Sequence, residues 1–239
     1  MKVFIVGATG ATGKFVVQQV LEAGHGVKAV VRSPEKLKDL EEAYTAFTQI
    51  KGNVLDMEQE ELKNHLEQCE AVVCCLGHNI SFQGMYGKPR KLVRDSVKKI
   101  VHGIEQLAPE KSFKFVLMNT NGNANRDLNE TYPLKERIIL NLLYLLLPPH
   151  TDNIQAAEYL RTTVGKNNSN VEWAVVRPDT LIDEQEVTEY EIDSLSKDGA
   201  IFSENRASRI NVANFMTQLV LDDTLWEQWK GSLPYIKNK

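Results

Sequence analysis

Residues 1–13 read MKVFIVGATGATG, and this stretch decides the fold class of the chain. Lys2–Val6 is a short apolar run rich in β-branched residues, which predicts a buried strand. A glycine-rich segment follows directly, and beyond it apolar residues recur at helical spacing: Phe15, Val16, Val17, Val20 and Leu21. A strand, a glycine turn and a helix in immediate succession are typical of the start of a dinucleotide-binding βαβ unit.

Each glycine of the turn has a distinct predicted role. Gly7 can adopt backbone angles closed to other residues, which permits a tight turn. Gly10 lacks a Cβ atom, so a pyrophosphate can approach the backbone, and Gly13 lets the helix pack close to the strand. The anion would lie at the helix N-terminus, where free N–H groups and the dipole favour negative charge, beside the other residues of the turn: Thr9, Ala11 and Thr12. The alternative is a glycine turn that binds nothing, but the strand before it and the helix after it favour a nucleotide site.

Length and composition narrow the class of protein. The chain has 239 residues, of which 42% are hydrophobic and 25% charged, and its net charge is −4. These values fit one globular domain over residues 1–239 and give no basic excess for binding nucleic acid. The three cysteines form no CxxC pair and the first residues lead straight into a strand, so we expect a reduced, cytoplasmic setting without a signal peptide. The most apolar stretch, Ile138–Leu147, is too short to span a bilayer as a helix.

The rest of the chain alternates between strands and helices. Further strands are predicted at Val27–Val31, Ala46–Lys51, Ala71–Leu76, Phe113–Met118 and Val171–Val176. Helices are predicted at Pro34–Tyr44, Met57–Glu67, Pro89–Leu107, Leu134–Leu147 and Asn153–Val164, and a polar loop at Gly77–Lys88. This alternation predicts an α/β fold, a Rossmann-type doubly wound parallel sheet. Beyond Pro178 we expect a small C-terminal cap on the same domain, with short strands at Glu186–Ile192 and Ala200–Phe202 and a helix at Val212–Leu221.

The end of the second predicted strand discriminates between two nicotinamide cofactors. Proteins that bind NAD usually carry an Asp or Glu there to hold the ribose hydroxyls, whereas this chain has Arg32 followed by Ser33. A guanidinium can bind a 2′-phosphate with paired hydrogen bonds, and Ser33 could add a hydroxyl. The sequence therefore favours NADP (NADPH) over NAD, with a solvated surface arginine as the alternative. Asn53-Val54 could contact the adenine, and Leu76-Gly77 ends the fourth strand, where ligands lie in open α/β sheets.

Six segments occur here in an order that resembles the atypical short-chain dehydrogenase/reductase family: GATGATG, VVRSPEKL, GNVLD, VVCCLG, WAVVRP and SRINVANFM. Within that family the chain is most similar to the NAD(P)H-binding, NmrA-like proteins and to their flavin reductase (biliverdin-IXβ reductase) branch. The resemblance implies cofactor contacts at Gly7, Thr9, Gly10, Thr12, Gly13, Arg32, Asn53, Val54, Leu76 and Gly77. It also implies that Thr120 lies near the nicotinamide, and that Pro178 lies on the loop that closes over the ring.

The chain departs from the family at its catalytic positions. Many relatives use a Tyr-x-x-x-Lys pair for proton transfer, but Tyr132 and Lys135 are one residue too close for that spacing. The flavin reductase branch also lacks the pair and often has a histidine after the proline of the sixth-strand loop, where this chain has Asp179. Asn53 stands where an aspartate is common. A tyrosine–lysine mechanism is therefore not expected.

Candidate catalytic residues are few, and no metal site is predicted. Thr120 could donate a hydrogen bond to a substrate carbonyl or to the nicotinamide amide, or could be a turn residue after its strand. His150 could act as a general acid because its pKa would lie near neutrality, although a lone histidine more often has a structural role. Asp179 could instead bond to the backbone of its own loop.

Three functions are open at this stage. The leading one is an NADPH-dependent oxidoreductase that transfers hydride to a flat small-molecule acceptor such as a flavin or quinone, since such a reaction needs little acid–base machinery. The second is a non-catalytic NADP-sensing regulator, which NmrA-like relatives exemplify. The third and weakest is a sugar-nucleotide epimerase or dehydratase. The apolar stretch Ile138–Leu147 is predicted to be a core helix or a subunit contact in a homodimer.

Overall fold

The computed structural model describes residues 1–78, 81 and 86–239, so part of the predicted Gly77–Lys88 loop, including Gly84, lies outside the described residues. The strands are β1 Lys2–Val6, β2 Gly26–Val31, β3 Phe47–Lys51, β4 Ala71–Cys74, β5 Phe113–Met118, β6 Val171–Pro178, β7 Thr180–Ile182, β8 Tyr190–Asp193, β9 Arg206–Ser208 and β10 Tyr235–Asn238. The described α-helices are α1 Gly13–Glu22, α2 Lys38–Ala43, α3 Gln59–Leu66, α4 Leu92–Leu107, α5 Leu134–Leu146, α6 Pro148–Glu158, α7 Arg209–Leu221 and α8 Asp223–Trp229.

Eight of the strands form one sheet in the order β3-β2-β1-β4-β5-β6-β10-β8. Every neighbouring pair in it is parallel except β10 with β8. The chain moves outward from β1 to β3 on one side and then returns to β4 on the other side of β1. This reversal confirms the predicted doubly wound α/β sheet.

Both faces of the sheet are covered, because alternate residues of each strand point into different cores. Val3 and Ile5 of β1 face a core built with α1 and α7, whereas Phe4 and Val6 face a core built with α3, α4 and α6. A strand with apolar residues at successive positions is stable when both of its faces are buried. This explains why Val3–Val6 of β1 and all of β4 are uninterrupted apolar runs.

Local helix boundaries differ from the sequence predictions at the prolines. The Pro34–Tyr44 helix is in fact a 3₁₀ turn, Pro34–Leu37, followed by the short helix α2, and the Ser33 side chain does not cap it. Pro148 and Pro149 do not separate two helices; they form the first turn of α6, which therefore begins five residues before the predicted Asn153. Proline is well placed in a first turn because its missing N–H would have no helical partner there.

The segment beyond Pro178 caps the carboxyl edge with β7 and β9 and also adds β10 and β8 to the main sheet. The prediction of a strand at Ala200–Phe202 is wrong. The carboxylate of Glu136 accepts hydrogen bonds from the amides of Ala200 (2.6 Å) and Ile201 (3.2 Å). These amides therefore bond to a side chain rather than to the backbone of a neighbouring strand. Neither β10 nor α8 was predicted, and the predicted 186–192 strand begins only at Tyr190.

Of the two predictions for Ile138–Leu147, a core helix or a subunit contact, the core helix is wrong. In α5 the one fully buried side chain is that of Glu136, and several leucines point outward. Among the described residues, no helix combines the length and apolar character needed to cross a membrane.

A buried ion pair holds the asparagine-rich loop after β5 against the sheet. The Arg177 guanidinium, on β6, lies 2.5 Å from the Glu130 carboxylate, and both side chains are almost completely inaccessible. Arg177 also donates to the carbonyls of Asn123, Ser194 and Leu233. Glu130 accepts from the Asn125 and Ser196 amides as well. The pair thereby joins four segments that are far apart in sequence: the loop after β5, β6, residues 194–196 and the segment before β10.

Glu130→Gln should lower the free energy of unfolding by about 3–5 kcal/mol, because it leaves Arg177 buried without a compensating charge. Asp183→Asn is the matched control, since Asp183 pairs with Arg209 at the surface and its loss should cost less than about 1 kcal/mol. Urea denaturation of both variants measures the difference. Equal losses would contradict a special role for the buried pair.

Candidate functional site

A cleft of about 550 Å³ opens at the carboxyl ends of β1 and β4, where the strand order reverses. This is the position at which open α/β sheets bind ligands. The cleft is lined by Val6, Gly7, Thr9, Gly10, Ala11, Thr12, Val30, Arg32, Lys36, Gly52, Asn53, Val54, Cys75, Leu76, Gly77, His78, Pro89, Leu92, Met118, Asn119, Pro149, Asn153 and Leu181. The structure therefore brings together most of the cofactor residues predicted from sequence.

The three glycines of the turn are required for different physical reasons. Gly7 has φ +78°, and a Cβ atom there would lie 2.5 Å from the backbone of Cys75 at the end of β4. A Cβ atom at Gly13 would lie 2.2 Å from the Gly7 carbonyl oxygen, so Gly13 determines how closely α1 packs on the turn. Gly13 does not line the cleft, which agrees with this packing role. Gly10 lines the cleft, and its Cβ atom would meet only the Gly7 oxygen, at 3.1 Å.

The turn presents unpaired backbone donors to the cleft. The Gly10 amide donates to the Gly7 carbonyl (3.0 Å), but the amides of Ala11 and Thr12 have no acceptor in the described part of the chain. They precede the first residue of α1, where the helix dipole adds positive potential. Free amides and a glycine without a Cβ atom fit a pyrophosphate, so a dinucleotide is compatible with the residues present.

The end of the cleft beyond β2 and β3 is basic. Arg32 and Lys36 are exposed and line the cleft, and no ion-pair partner exists for either among the described residues. Ser33 does not line the cleft. Asn53 does, but its side chain is engaged in its own loop, where it donates to Asp56 and accepts from the Leu55 amide. Lys36 was missed from sequence; it lies in the 3₁₀ turn that follows Arg32 and also lines the cleft.

The half-buried ammonium of Lys99 supports this loop on the side of α4. The Lys99 Nζ atom, on α4, donates to the carbonyls of Leu55 (3.0 Å) and Met57. It thereby ties the segment after β3 to the helix that flanks the cleft. No local signal in the sequence connects these residues, because they are more than 40 positions apart.

The opposite end of the cleft contains a histidine–aspartate pair that sequence reasoning missed. His78 lines the cleft, and its Nε2 atom lies 2.8 Å from the Asp152 carboxylate. Asp152 also accepts hydrogen bonds from the amides of Val93 (2.8 Å) and Arg94 (3.0 Å) in the first turn of α4. A helix N-terminus favours a negative side chain, so Asp152 holds both the helix end and the imidazole in place.

Asn119 lies beside this end, at the point where β5 terminates. Its side-chain amide donates to the Asn153 carbonyl (2.8 Å), and its oxygen accepts from the Thr120 amide. Thr120 does not line the cleft; its hydroxyl accepts from the Gly122 amide, as expected of a turn residue. Pro178 does not line the cleft either, although Leu181 in the following strand does.

The other catalytic candidates have structural surroundings. The Nε2 atom of His150 is buried without a partner among the described residues, burial lowers the pKa of the imidazole, and the residue does not line the cleft. Asp179 accepts from the Thr180 amide of its own loop and from the Tyr235 hydroxyl. The Tyr132 hydroxyl donates to the Asn121 carbonyl (2.5 Å), and burial raises its pKa. Lys135 instead lies over the Phe202 ring.

Burial disfavours the thiolate form of the cysteines at the end of β4. Burial raises the pKa of the Cys74 thiol to about 12 and also raises that of Cys75, so neither is a ready nucleophile. The parts of the chain that the structure describes contain no cluster of three or more His, Cys, Asp or Glu side chains that could hold a metal ion.

Comparison with known proteins finds a sequence relative, structural neighbours and one matching family model. An uncharacterized chloroplastic protein of Arabidopsis thaliana is 30% identical over 184 residues, which cover 75% of this chain but only 59% of that relative. A short-chain dehydrogenase/reductase of Veillonella parvula, solved in complex with NADP, has a TM-score of 0.70 at 16% identity and covers 100% of this chain and 94% of its own. A proposed NADH-flavin reductase of Streptococcus pneumoniae has a TM-score of 0.65 at 18% identity over 100% of both chains. At such identities the structures establish the fold alone, whereas the family model described as NAD(P)H-binding matches residues 7–223, and the chain therefore belongs to that NAD(P)H-binding family.

Proposed function

We propose that this protein is an NADPH-dependent oxidoreductase that transfers hydride to a flat acceptor such as a flavin or quinone. One observation carries the proposal: a single cleft joins an unpaired basic end, a turn with free amides, and a polar end that contains His78. NADP has a phosphate, a pyrophosphate and a nicotinamide in that order. The NADP bound by the Veillonella neighbour and the flavin activity proposed for the Streptococcus neighbour support the same assignment.

Each part of the cleft receives a role in this proposal. The turn from Gly7 to Gly13 binds the pyrophosphate through its amides, with Gly10 leaving the necessary space. Arg32 and Lys36 bind the 2′-phosphate, and Asn53-Val54 lies against the adenine; Ser33, predicted from sequence to add a hydroxyl, does not line the cleft and is assigned no role. Leu76-Gly77 lies under the second ribose. Asn119 and Leu181 flank the nicotinamide end; they take the place of Thr120 and Pro178, which do not line the cleft.

The cofactor supplies the hydride, and the chain's own residues position the reactants and handle the proton. Two-electron reduction of a flavin or quinone to its neutral reduced form consumes one hydride and one proton. His78 is the imidazole that lines the described part of the cleft, and Asp152 fixes its ring by a 2.8 Å contact. We infer that His78 delivers the proton, in place of the absent tyrosine–lysine pair.

Turnover separates this proposal from the NADP-sensing alternative. We expect that anaerobic mixing of the protein with NADPH and a panel of flavins and quinones oxidises NADPH with at least one of them, as followed at the nicotinamide absorbance band. His78→Ala should slow this reaction by about 10²–10⁴-fold, the usual contribution of a positioned acid, while cofactor affinity stays within a few fold. His150→Ala is the matched control. Tight NADPH binding without turnover for any acceptor would instead indicate a sensor.

Arg32→Ala should weaken NADPH binding by roughly 10- to 100-fold and NADH binding very little, because one charged hydrogen bond contributes about 1.5–3 kcal/mol. Lys38→Ala is a suitable control, since Lys38 is an exposed cation on the next helix and does not line the cleft. Competitive fluorescence titration of both cofactors decides the matter. If wild-type protein binds NADH as tightly as NADPH, or if the mutant loses both equally, the NADP assignment fails.

Gly10→Val should reduce the affinity for either cofactor by at least about 10-fold while the fold persists, because its side chain would enter the space assigned to the pyrophosphate. Gly26→Ala serves as the control: it lies away from the cleft, and its added Cβ atom would make only ordinary contacts. The measurement is cofactor titration on variants whose circular dichroism matches wild type. Unchanged affinity in a folded Gly10→Val protein would show that the pyrophosphate does not bind at the turn.

A further inference from the structure

The outward side of α5 is an exposed apolar surface. Its large apolar side chains leave between 54% and 77% of their area accessible: Leu134, Ile138, Leu142, Leu145 and Leu146. They recur at three- and four-residue intervals, which places them on one side of the helix. The opposite side is anchored by Glu136, which binds the amides of Ala200 and Ile201. An exposed apolar stripe of this size marks an interaction site.

Basic side chains border this stripe. Lys135 and Arg137 lie next to its N-terminal leucine in the first turns of α5, and both are exposed. The Tyr86 hydroxyl donates to the Leu146 carbonyl (3.4 Å), which brings an exposed basic segment to the other end of the helix: Lys88, Arg90 and Lys91. In the described part of the chain, none of these five basic residues forms an ion pair. We call the stripe together with its basic border the α5 face.

We propose that the α5 face docks on a lipid bilayer surface that carries anionic headgroups. A helix with leucines on one side and Lys or Arg at the margins lies in a membrane interface, with the apolar side chains inserted and the cations at the headgroups. The charge is local, because the whole chain has a net charge of −4. An anionic surface would therefore attract this face and repel the rest of the molecule, which fixes the orientation.

Charge also argues against a second copy of this chain as the occupant. A symmetric contact through the α5 face would oppose the same surface on two copies. Lysines and arginines would then face one another, since the acidic residue of α5, Glu136, is buried on the inner side. Like charges placed opposite each other at an interface oppose association.

The docked face adjoins one end of the cleft. Pro89 lies between Lys88 and Arg90, Pro149 follows α5 by three residues, and both prolines line the cleft. Docking thus places that end of the cleft at the margin of the bilayer. The consequence for function, which rests on the proposed reductase, is an acceptor dissolved in the membrane, such as a quinone. The docking itself does not depend on that activity.

Flotation with vesicles, without cofactor, tests the docking. Wild-type protein should float with vesicles of phosphatidylcholine and phosphatidylglycerol, much less with phosphatidylcholine alone, and less as salt rises. The triple variant Lys88→Ala, Arg90→Ala, Lys91→Ala should lose about 100-fold in affinity, at about 5-fold for each basic side chain. The double variant Leu142→Asp, Leu145→Asp should lose at least as much through its apolar contacts.

Matched controls carry the same changes elsewhere on the surface. Leu128→Asp with Val187→Asp alters two exposed apolar residues outside the α5 face, and Lys38→Ala with Lys197→Ala and Lys239→Ala removes three exposed lysines outside it. These variants should float as wild type does, and NADPH titration of every variant confirms an intact cleft. The proposal is overturned if wild-type protein floats with neither vesicle, or if the α5 variants float unchanged. It is likewise overturned if sedimentation shows a dimer that the Leu142→Asp, Leu145→Asp variant dissociates while no vesicle binds.

Discussion

The close approach of the first glycine turn to the end of β4 is the constraint on which the rest of the structure depends. Gly7 passes so near Cys75 that a Cβ atom would lie 2.5 Å from its backbone, and Gly13 brings α1 down onto the same turn. These contacts place the N-terminus of α1 beside the carboxyl ends of β1 and β4. The place where the chain reverses its winding is thereby also the place where free amides face a cleft.

Charged groups then fix the two ends of that cleft by different means. At one end Arg32 and Lys36 are exposed and unpaired within the described residues, so they are available to an anion. At the other end the Asp152 carboxylate accepts hydrogen bonds from two amides of α4 and contacts His78. The unpaired cations Arg32 and Lys36 can bind a ligand, whereas the paired Asp152 holds His78 in a fixed position. This division suits the proposed reductase, in which His78 is a positioned proton donor.

Local patterns in the sequence predicted the sheet, the glycine turn and Arg32, because each depends on residues within one strand–turn–helix unit. The features that were missed depend on distant contacts. His78 meets Asp152 across 74 positions, and β10 joins β6 from the end of the chain. Thr120 was assigned to the cofactor by resemblance, yet it is the preceding Asn119 that lines the cleft. The sequence left two alternatives for the α5 leucines, a core helix or a subunit contact, because apolar periodicity does not reveal what a helix face packs against.

The central claim is that the turn from Gly7 to Gly13 binds the pyrophosphate of a nicotinamide cofactor, and a backbone amide titration by nuclear magnetic resonance tests it most directly. On addition of NADP, the account predicts that the largest saturable shifts occur at the amides of Thr9–Gly13, with those of Ala11 and Thr12 foremost because they lack protein acceptors. Saturable binding that leaves these amides unshifted, or an absence of binding to folded protein, would contradict it.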